Sequence, residues 1–252
     1  MTRDDAGPGA FASPPVNDGR LYVVSTPIGN LADLTVRAAE VLRTVALIVA
    51  EDTRHSRTLL DHYAVRTPTL AYHEHNEARE TPKLLARLQH GESIALISDA
   101  GTPLVSDPGA RLVRACVDAG VTVVPVPGAS ALLSALVTSG LAADRFTFYG
   151  FLDRKGKART QALAEIVRSP LTVVLYESPN RVGATLAELA ERGGGARRVA
   201  IARELTKRFE EIRRGTVAEL AAAIGDDELR GEVVLVIEGA TPEALDEDAM
   251  RA

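Results

Sequence analysis

Ser98-Asp99-Ala100-Gly101-Thr102-Pro103-Leu104-Val105-Ser106-Asp107-Pro108-Gly109 is the stretch that decides the fold. The apolar run Ile94-Ala95-Leu96-Ile97 leads into it, and a helical pattern starts near Ala110. A strand that ends in Gly, Pro and small hydroxyl residues and gives way to a helix is a βα turn. At such turns an open α/β sheet offers backbone groups to a ligand. The segment therefore predicts a small-molecule pocket.

Outward from this turn, strand-like and helix-like segments alternate. Strands are expected at residues 21–25, 46–50, 69–72, 93–97 and 122–126. Helices are expected at 33–44, 56–63, 82–88, 111–119 and 129–139. Most of these strands are continuous apolar runs, which suits a parallel sheet covered on both faces. The second half adds strands at 145–151, 171–176 and 198–202, with helices at 157–167 and 181–192. Then the spacing changes: a strand at 211–215 follows closely, with a helix at 217–224 and a last strand at 232–237. Close-set strands predict a mixed sheet with antiparallel pairs. The expected architecture is α/β with two domains, a parallel-sheet domain at 21–139 and a mixed-sheet domain at 140–239. A flexible tail at 1–20, rich in Gly, Pro, Ala and Asp, and a short acidic tail at 240–252 are expected to flank them.

The composition is that of an ordinary globular chain: 46% hydrophobic and 25% charged over 252 residues. No apolar run approaches the roughly 20 residues of a membrane span, and the first 19 residues lack the apolar core of a signal peptide. Cys116 is the single cysteine, so an internal disulfide is excluded and a cytoplasmic home is expected. Its place in an apolar helical pattern points to packing. The net charge of −5 gives no global attraction to nucleic acid. Basic residues nevertheless cluster, first as Arg154, Lys155, Lys157 and Arg159. A second cluster holds Arg197, Arg198, Arg203, Lys207, Arg208, Arg213 and Arg214 against only Glu204, Glu210 and Glu211. Both a phosphate-binding face and plain solvated charge fit these clusters.

Several further turns carry chemistry. Thr26-Pro27-Ile28-Gly29-Asn30 ends the first strand without the G-x-G-x-x-G dinucleotide fingerprint. Gly150 to Ala158 superficially resembles a phosphate-binding loop, but five residues separate its glycines and Ala158 replaces the metal-binding hydroxyl, so nucleotide hydrolysis is excluded on this motif. Glu51-Asp52-Thr53-Arg54-His55 crowds acid, base and imidazole at a strand end, either for proton transfer and phosphate binding or as a helix cap. His73 and His75 are two apart, on one face if the strand continues. No third ligand supports them, so no metal site is predicted and contact with RNA or substrate is preferred. Pro127-Gly128-Ala129-Ser130, Tyr176-Glu177-Ser178-Pro179-Asn180-Arg181 and Arg203-Glu204-Leu205-Thr206-Lys207 complete the set. Turns of this kind, several in one chain, can converge on one cleft.

These segments together resemble the small-subunit ribosomal RNA methyltransferases that modify a cytidine 2′-hydroxyl of 16S rRNA, a branch of the tetrapyrrole-methylase superfamily. The resemblance runs from about Leu21 to Gly239. It implies two α/β domains with S-adenosylmethionine in the cleft between them, and a homodimer. By motif, the cofactor would touch Pro27, Gly101, Thr102, Val105, Ser130, Ala131 and Tyr176, with Asp99 and Phe151 as further candidates. Gly101-Thr102-Pro103 stands where the corrin and porphyrin branches usually show Gly-Asp-Pro, which favours the RNA branch. Asp153 and Asn180 depart from the Pro and His common in that branch, at positions outside the cofactor motifs. Relatives of this kind often continue into a further small helical segment, so the chain's short extension past Gly239 is expected to alter RNA affinity or site choice.

A methyl transfer to oxygen needs the acceptor positioned and its proton removed. Asp52, His55, His75 and Glu204 are the candidate bases. Arg54, Arg154, Lys155, Lys157, Arg203, Arg208, Arg213 and Arg214 are the candidate RNA contacts, within 16S rRNA of the small ribosomal subunit. A tetrapyrrole C-methyltransferase and a non-catalytic RNA- or nucleotide-binding protein are the rival readings, because fold alone does not separate them.

Overall fold

The computed structural model of the chain describes residues 18–225 and 229–241. Most of the two expected tails therefore lies outside the described residues. Residues 18–20 are already part of the fold: the Gly19 N–H donates to Gly91 O at 3.0 Å, and the Ser93 hydroxyl donates to the Asp18 carboxylate at 2.9 Å.

Two compact units divide the chain between Ser130 and Ala131. The first is built on strands β1 (Leu21–Val24), β2 (Leu47–Ala50), β3 (Thr69–Ala71), β4 (Ile94–Ile97) and β5 (Val123–Val126). They lie in the order β3-β2-β4-β1-β5, every pair parallel, as the apolar runs predict. Helices α1 (Val36–Thr44), α2 (Thr53–His62), α3 (Glu77–Gln89) and α4 (Ala110–Asp118) connect them. Successive strand residues face opposite sides. Accordingly Tyr22, Val24, Ile48, Ala50, Ala95 and Ile97 join Val41, Leu42, Leu59 and Leu60 of α1 and α2 in one core. Leu21, Leu47, Val49, Ile94 and Leu96 join Leu84, Leu88, Leu112 and Cys116 of α3 and α4 in another. With both faces covered, no strand position needs a polar residue. Pro125 is tolerated because β5 is an edge strand.

Helix α3 starts at Glu77, five residues ahead of the start expected at Pro82. Glu77 and Glu80 lie in its first turn, where carboxylates favour a helix N-terminus. Pro82 gives up one backbone bond inside the helix, while the Thr81 hydroxyl donates to the Glu77 carbonyl at 2.6 Å.

The second unit holds α5 (Ala131–Ser139), β6 (Phe146–Phe151), α6 (Lys157–Arg168), β7 (Thr172–Glu177), α7 (Val182–Leu189), β8 (Arg198–Arg203), β9 (Glu211–Thr216), α8 (Val217–Ile224) and β10 (Val233–Ile237). Its sheet runs β6-β7-β10-β8-β9, with β6 parallel to β7 and the other three pairs antiparallel. That is the mixed sheet the close-set strands predict. Helix α5 lies on this side of the division, whereas the sequence reading placed the boundary after it. Its residues Ala131-Leu132-Leu133-Ser134-Ala135-Leu136-Val137 are almost wholly apolar, and it packs on β7, β8, β9 and β10. Arg214 of β9 also donates to the carbonyls of Ser139 and Thr138 at its C-terminus. Among the described residues no helix is long and apolar enough to cross a membrane.

Candidate active site

Within the first unit, the turns after β1, β4 and β5 are tied together by their own hydrogen bonds. Thr26 and Gly101 exchange backbone bonds, Thr26 N–H to Gly101 O at 2.8 Å and Gly101 N–H to Thr26 O at 3.0 Å. The buried Thr26 hydroxyl donates to Ser98 O at 3.3 Å. The Ser25 hydroxyl lies 3.0 Å from Thr102 Oγ1, which donates to Ala129 O at 3.2 Å. The three turns thus converge, and they bring Pro27, Gly101, Thr102 and the 127–130 turn into one rigid assembly. Gly101 sits at φ +77°, where a Cβ would lie 3.3 Å from Ile28 Cγ2. Leu104 and Ser106 also have positive φ, 71° and 73°. Non-glycine residues seldom adopt that backbone, and where they do the surroundings enforce it, often at a ligand site.

Chain progression reverses beside these turns. From β2 the chain moves outward to β3, whereas from neighbouring β4 it moves the other way, to β5. Crevices outside the carboxyl ends of such strand pairs are where open α/β sheets bind ligands. Here the chain places Glu51 and Asp52 after β2, and Asp99 and Asp107 after β4. The Asp52 N–H donates to Asp99 Oδ1 at 3.1 Å, joining the two strand ends. Burial pushes the Asp107 carboxyl up to about 6, with the Asp99 charge adding to the shift and a Ser98 hydrogen bond opposing it. Burial, then Asp99 and Asp107, also raises Glu51. No Lys or Arg pairs with Glu51, Asp99 or Asp107 among the described residues. A carboxylate group of this kind is suited to a cationic centre on a small molecule. The sequence motifs single out Asp99 as a candidate contact, but not Glu51 or Asp107. Their signal was present: aspartates flank the Gly-Thr-Pro turn on both sides, and Glu51 directly follows an apolar strand.

The four candidate bases are placed differently from one another. Asp52 caps α2, accepting from Arg54 N–H at 2.8 Å, and that bond holds its carboxyl below the ordinary range. Glu204 accepts from Lys207 Nζ at 2.9 Å and Glu232 N–H at 3.0 Å, and the Lys207 bond likewise lowers it. Both are committed carboxylates. His55 and His75 present exposed rings. His75 is not on a strand with His73, because β3 ends at Ala71 and a turn begins, but the turn still brings the two rings edge to face at 5.8 Å. Asn76 builds that turn by accepting the His73 N–H at 2.9 Å and donating to Ala71 O at 2.9 Å.

In the second unit, Tyr176 of β7 stacks edge-on against Phe148 at 5.0 Å and lies 5.4 Å from Phe151 of β6. Phe151 is 59% exposed, so the two candidates form an accessible aromatic patch. Ala131 opens α5 and Ser130 closes the first unit.

The basic clusters separate into structural and free members. Arg159 is buried against Glu188 at 2.7 Å and within 4.0 Å of the fully buried Glu177. It is therefore no part of an RNA face. Arg197 donates to Ile166 O and Val167 O, closing the C-terminus of α6. Arg203 and Arg213 pair with Glu211, and Arg214 caps α5 as described. Arg154, Lys155, Lys157 and Arg208 are exposed and carry no ion pair among the described residues. Arg54 is 92% exposed beside Asp52.

A parallel sheet with converging small-residue turns, followed by a mixed sheet, matches one family in particular. The chain belongs to the Tetrapyrrole (Corrin/Porphyrin) Methylases, whose family model matches residues 20–221. It is 52% identical to "Ribosomal RNA small subunit methyltransferase I" of Synechocystis sp., over 89% of this chain and 81% of that protein. It is 50% identical to the protein of the same name in Escherichia coli O157:H7, over 93% of this chain and 84% of that one. Among solved structures, uroporphyrin-III C-methyl transferase from Thermus thermophilus, complexed with S-adenyl homocysteine, aligns with TM-score 0.62 at 21% identity over 87% of this chain and 97% of that one. Cobalt precorrin-4 methyltransferase, a cobalamin biosynthetic enzyme, aligns with TM-score 0.64 at 19% identity over 91% and 97%. At these identities the structures speak for the fold.

Proposed function

We propose that the chain transfers a methyl group from S-adenosylmethionine to the 2′-hydroxyl of a cytidine ribose in 16S rRNA of the small ribosomal subunit. The observation that carries this reading is the 50–52% identity, over about nine-tenths of the chain, to proteins named for small-subunit ribosomal RNA methylation. The cofactor-holding residues are Pro27, Asp99, Gly101, Thr102, Val105 and Ser130 in the first unit and Ala131, Phe151 and Tyr176 in the second. When bound, S-adenosylmethionine supplies an electrophilic methyl group on a sulfonium. The unpaired carboxylates Glu51, Asp99 and Asp107 suit that positive charge, and the interlocked turns suit a ligand held largely by backbone groups.

The chain's own task is to orient the ribose and take its proton, since a hydroxyl is a poor nucleophile at neutral pH. Asp52 and Glu204 are weakened as bases by the hydrogen bonds that lower them. The exposed His55 and His75 are the proton acceptors left. Arg54, Arg154, Lys155, Lys157 and Arg208 hold phosphates. The exposed Leu133 and Val137, one turn apart on α5, support a homodimer, and the single buried thiol of Cys116 supports a cytoplasmic setting.

A methyl-transfer assay with radiolabelled cofactor tests the reading on unmodified small subunits, free 16S rRNA and a porphyrinogen. Label is expected in RNA and lost when the target cytidine is 2′-deoxy, with RNA binding retained. Label in the porphyrinogen, or in the 2′-deoxy target, would overturn it.

A further inference from the structure

We infer that Arg208 and Phe209, at the tip of the β8–β9 loop, form a stacking platform for an unpaired base of the RNA. The inference rests on the RNA-methylating reading and adds to it a contact for single-stranded substrate.

Phe209 is 64% exposed, and the Arg208 guanidinium lies over its ring, 5.5 Å from the centroid. Leaving an aromatic ring in water forgoes the gain of burying it, so its exposure on a well-built loop points to a partner. The loop is well built. Leu205 is buried and anchors it, while Glu204 and Thr206 hold positive φ of 51° and 65°. Lys207 Nζ donates to Glu204 Oε1 at 2.9 Å and to Glu232 Oε2 at 3.0 Å. The Thr206 N–H donates to Glu210 Oε2 at 2.6 Å, and the Lys207 N–H donates to Glu204 O at 3.0 Å. Glu204 and Glu210 accept backbone N–H groups and Lys207 pairs with Glu204 and Glu232, so these charged neighbours are engaged in holding the loop. Arg208 has no carboxylate partner among the described residues, unlike Arg203, Lys207 and Arg213. A well-held aromatic face beside a planar cation that has no carboxylate partner among the described residues matches the chemistry of an unpaired nucleotide: a π-face to stack and a phosphate to pair.

The position agrees. Strand register sets Arg203 beside Val233, which lies beside Glu177, and sets Ala202 beside Val234, which lies beside Tyr176. Phe151 is next to Tyr176. The loop therefore leaves the second sheet at the same strand ends as the aromatic cofactor candidates, with β10 lying between β7 and β8. The cavity of about 400 Å³ lined by Leu141, Arg198, Arg214 and Thr216 lies at the other end of the β8–β9 pair. A nucleotide on Phe209 would be held on the reacting side of the sheet.

The test uses the full chain and an RNA hairpin that carries the target sequence, with 2-aminopurine at successive unpaired positions. Wild type is expected to quench 2-aminopurine at one position, and Phe209→Ala to restore its emission. Phe209→Ala should also weaken RNA binding ~5- to 150-fold, the usual range for loss of one base–aromatic stack, by a similar factor at low and high salt. Phe209→Trp should retain binding. Arg208→Ala should reduce the slope of log affinity against log salt by about 0.7, one phosphate on a single strand. S-adenosylmethionine affinity and thermal melting serve as controls for the fold. Wild-type affinity in Phe209→Ala would overturn the platform while leaving RNA methylation intact. A Phe209→Ala protein that sediments as a smaller species would assign the ring to a protein interface instead. Failure of the wild type to bind either the hairpin or the unmodified small subunit would overturn the methylation reading, and the platform with it.

Discussion

At Gly101 the backbone leaves no latitude. Its φ of +77° disfavours any Cβ, and a side chain there would press on Ile28 while the residue keeps both backbone bonds to Thr26. Gly101→Val is therefore expected to cost about 1–3 kcal/mol in backbone strain and to abolish S-adenosylmethionine binding in calorimetry. Unchanged affinity in the folded variant would place the cofactor elsewhere. Asp107 gives a prediction of opposite sign for stability. Its carboxyl is raised from 3.8 to about 6, so the folded state holds a proton that the unfolded state releases between these values. Stability thus falls as pH rises through that window, and above it the buried charge costs about 3 kcal/mol at most. Asp107→Asn should melt higher than wild type at pH 7 to 8, with the advantage shrinking toward pH 4. The same variant should bind cofactor less tightly at pH 7, where it has lost a carboxylate suited to the sulfonium. A variant that melts no higher at pH 7 would show that Asp107 ionises without cost.

Helix α5 carries the lesson at the scale of an element. Its sequence reads as a helix, and its boundaries were legible to within two residues of 129–139. Its allegiance was not, because an almost wholly apolar helix gives no polar face to say which sheet it covers. What ties it to the second sheet is distant in sequence: Arg214, some 75 positions on, which donates to Ser139 O at 3.1 Å. In the sequence Arg214 is one more member of a basic run and invites assignment to RNA. Closing a helix C-terminus with a cation is a structural task. Arg214→Ala is expected to lose about 1 kcal/mol of stability, visible in denaturant midpoint, with RNA affinity lowered little. A variant as stable as wild type but deficient in RNA binding would return Arg214 to the RNA face.

Across the whole molecule, periodicity and turn chemistry are local and were legible. The parallel and mixed sheets, most element boundaries and the presence of ligand-type turns after β1, β4 and β5 could all be read from runs of fewer than fifteen residues. Charge pairing is not local. Arg159 meets Glu177 and Glu188 from other elements, and Arg203 meets Glu211 across a strand pair, so neither commitment shows in the run where each arginine stands. Once the committed residues are removed, a chain of net charge −5 keeps a short list of cations for phosphate, with Arg154, Lys155 and Lys157 as its densest part. Neutralising a phosphate releases counterions, so three such contacts on single-stranded RNA contribute about 2 to the salt slope. The triple variant Arg154→Ala, Lys155→Ala, Lys157→Ala is expected to flatten the slope by about that amount and to weaken RNA binding most at low salt. Its stability should hold, since these side chains are exposed and removing Lys157 takes a cation from the first turn of α6, where positive charge is unfavourable. Arg159 has to stay in that variant, because breaking its buried pairing costs ~3–5 kcal/mol and would confuse unfolding with lost affinity. A triple variant with an unaltered slope would leave Arg54 and Arg208 as the cations that hold the RNA.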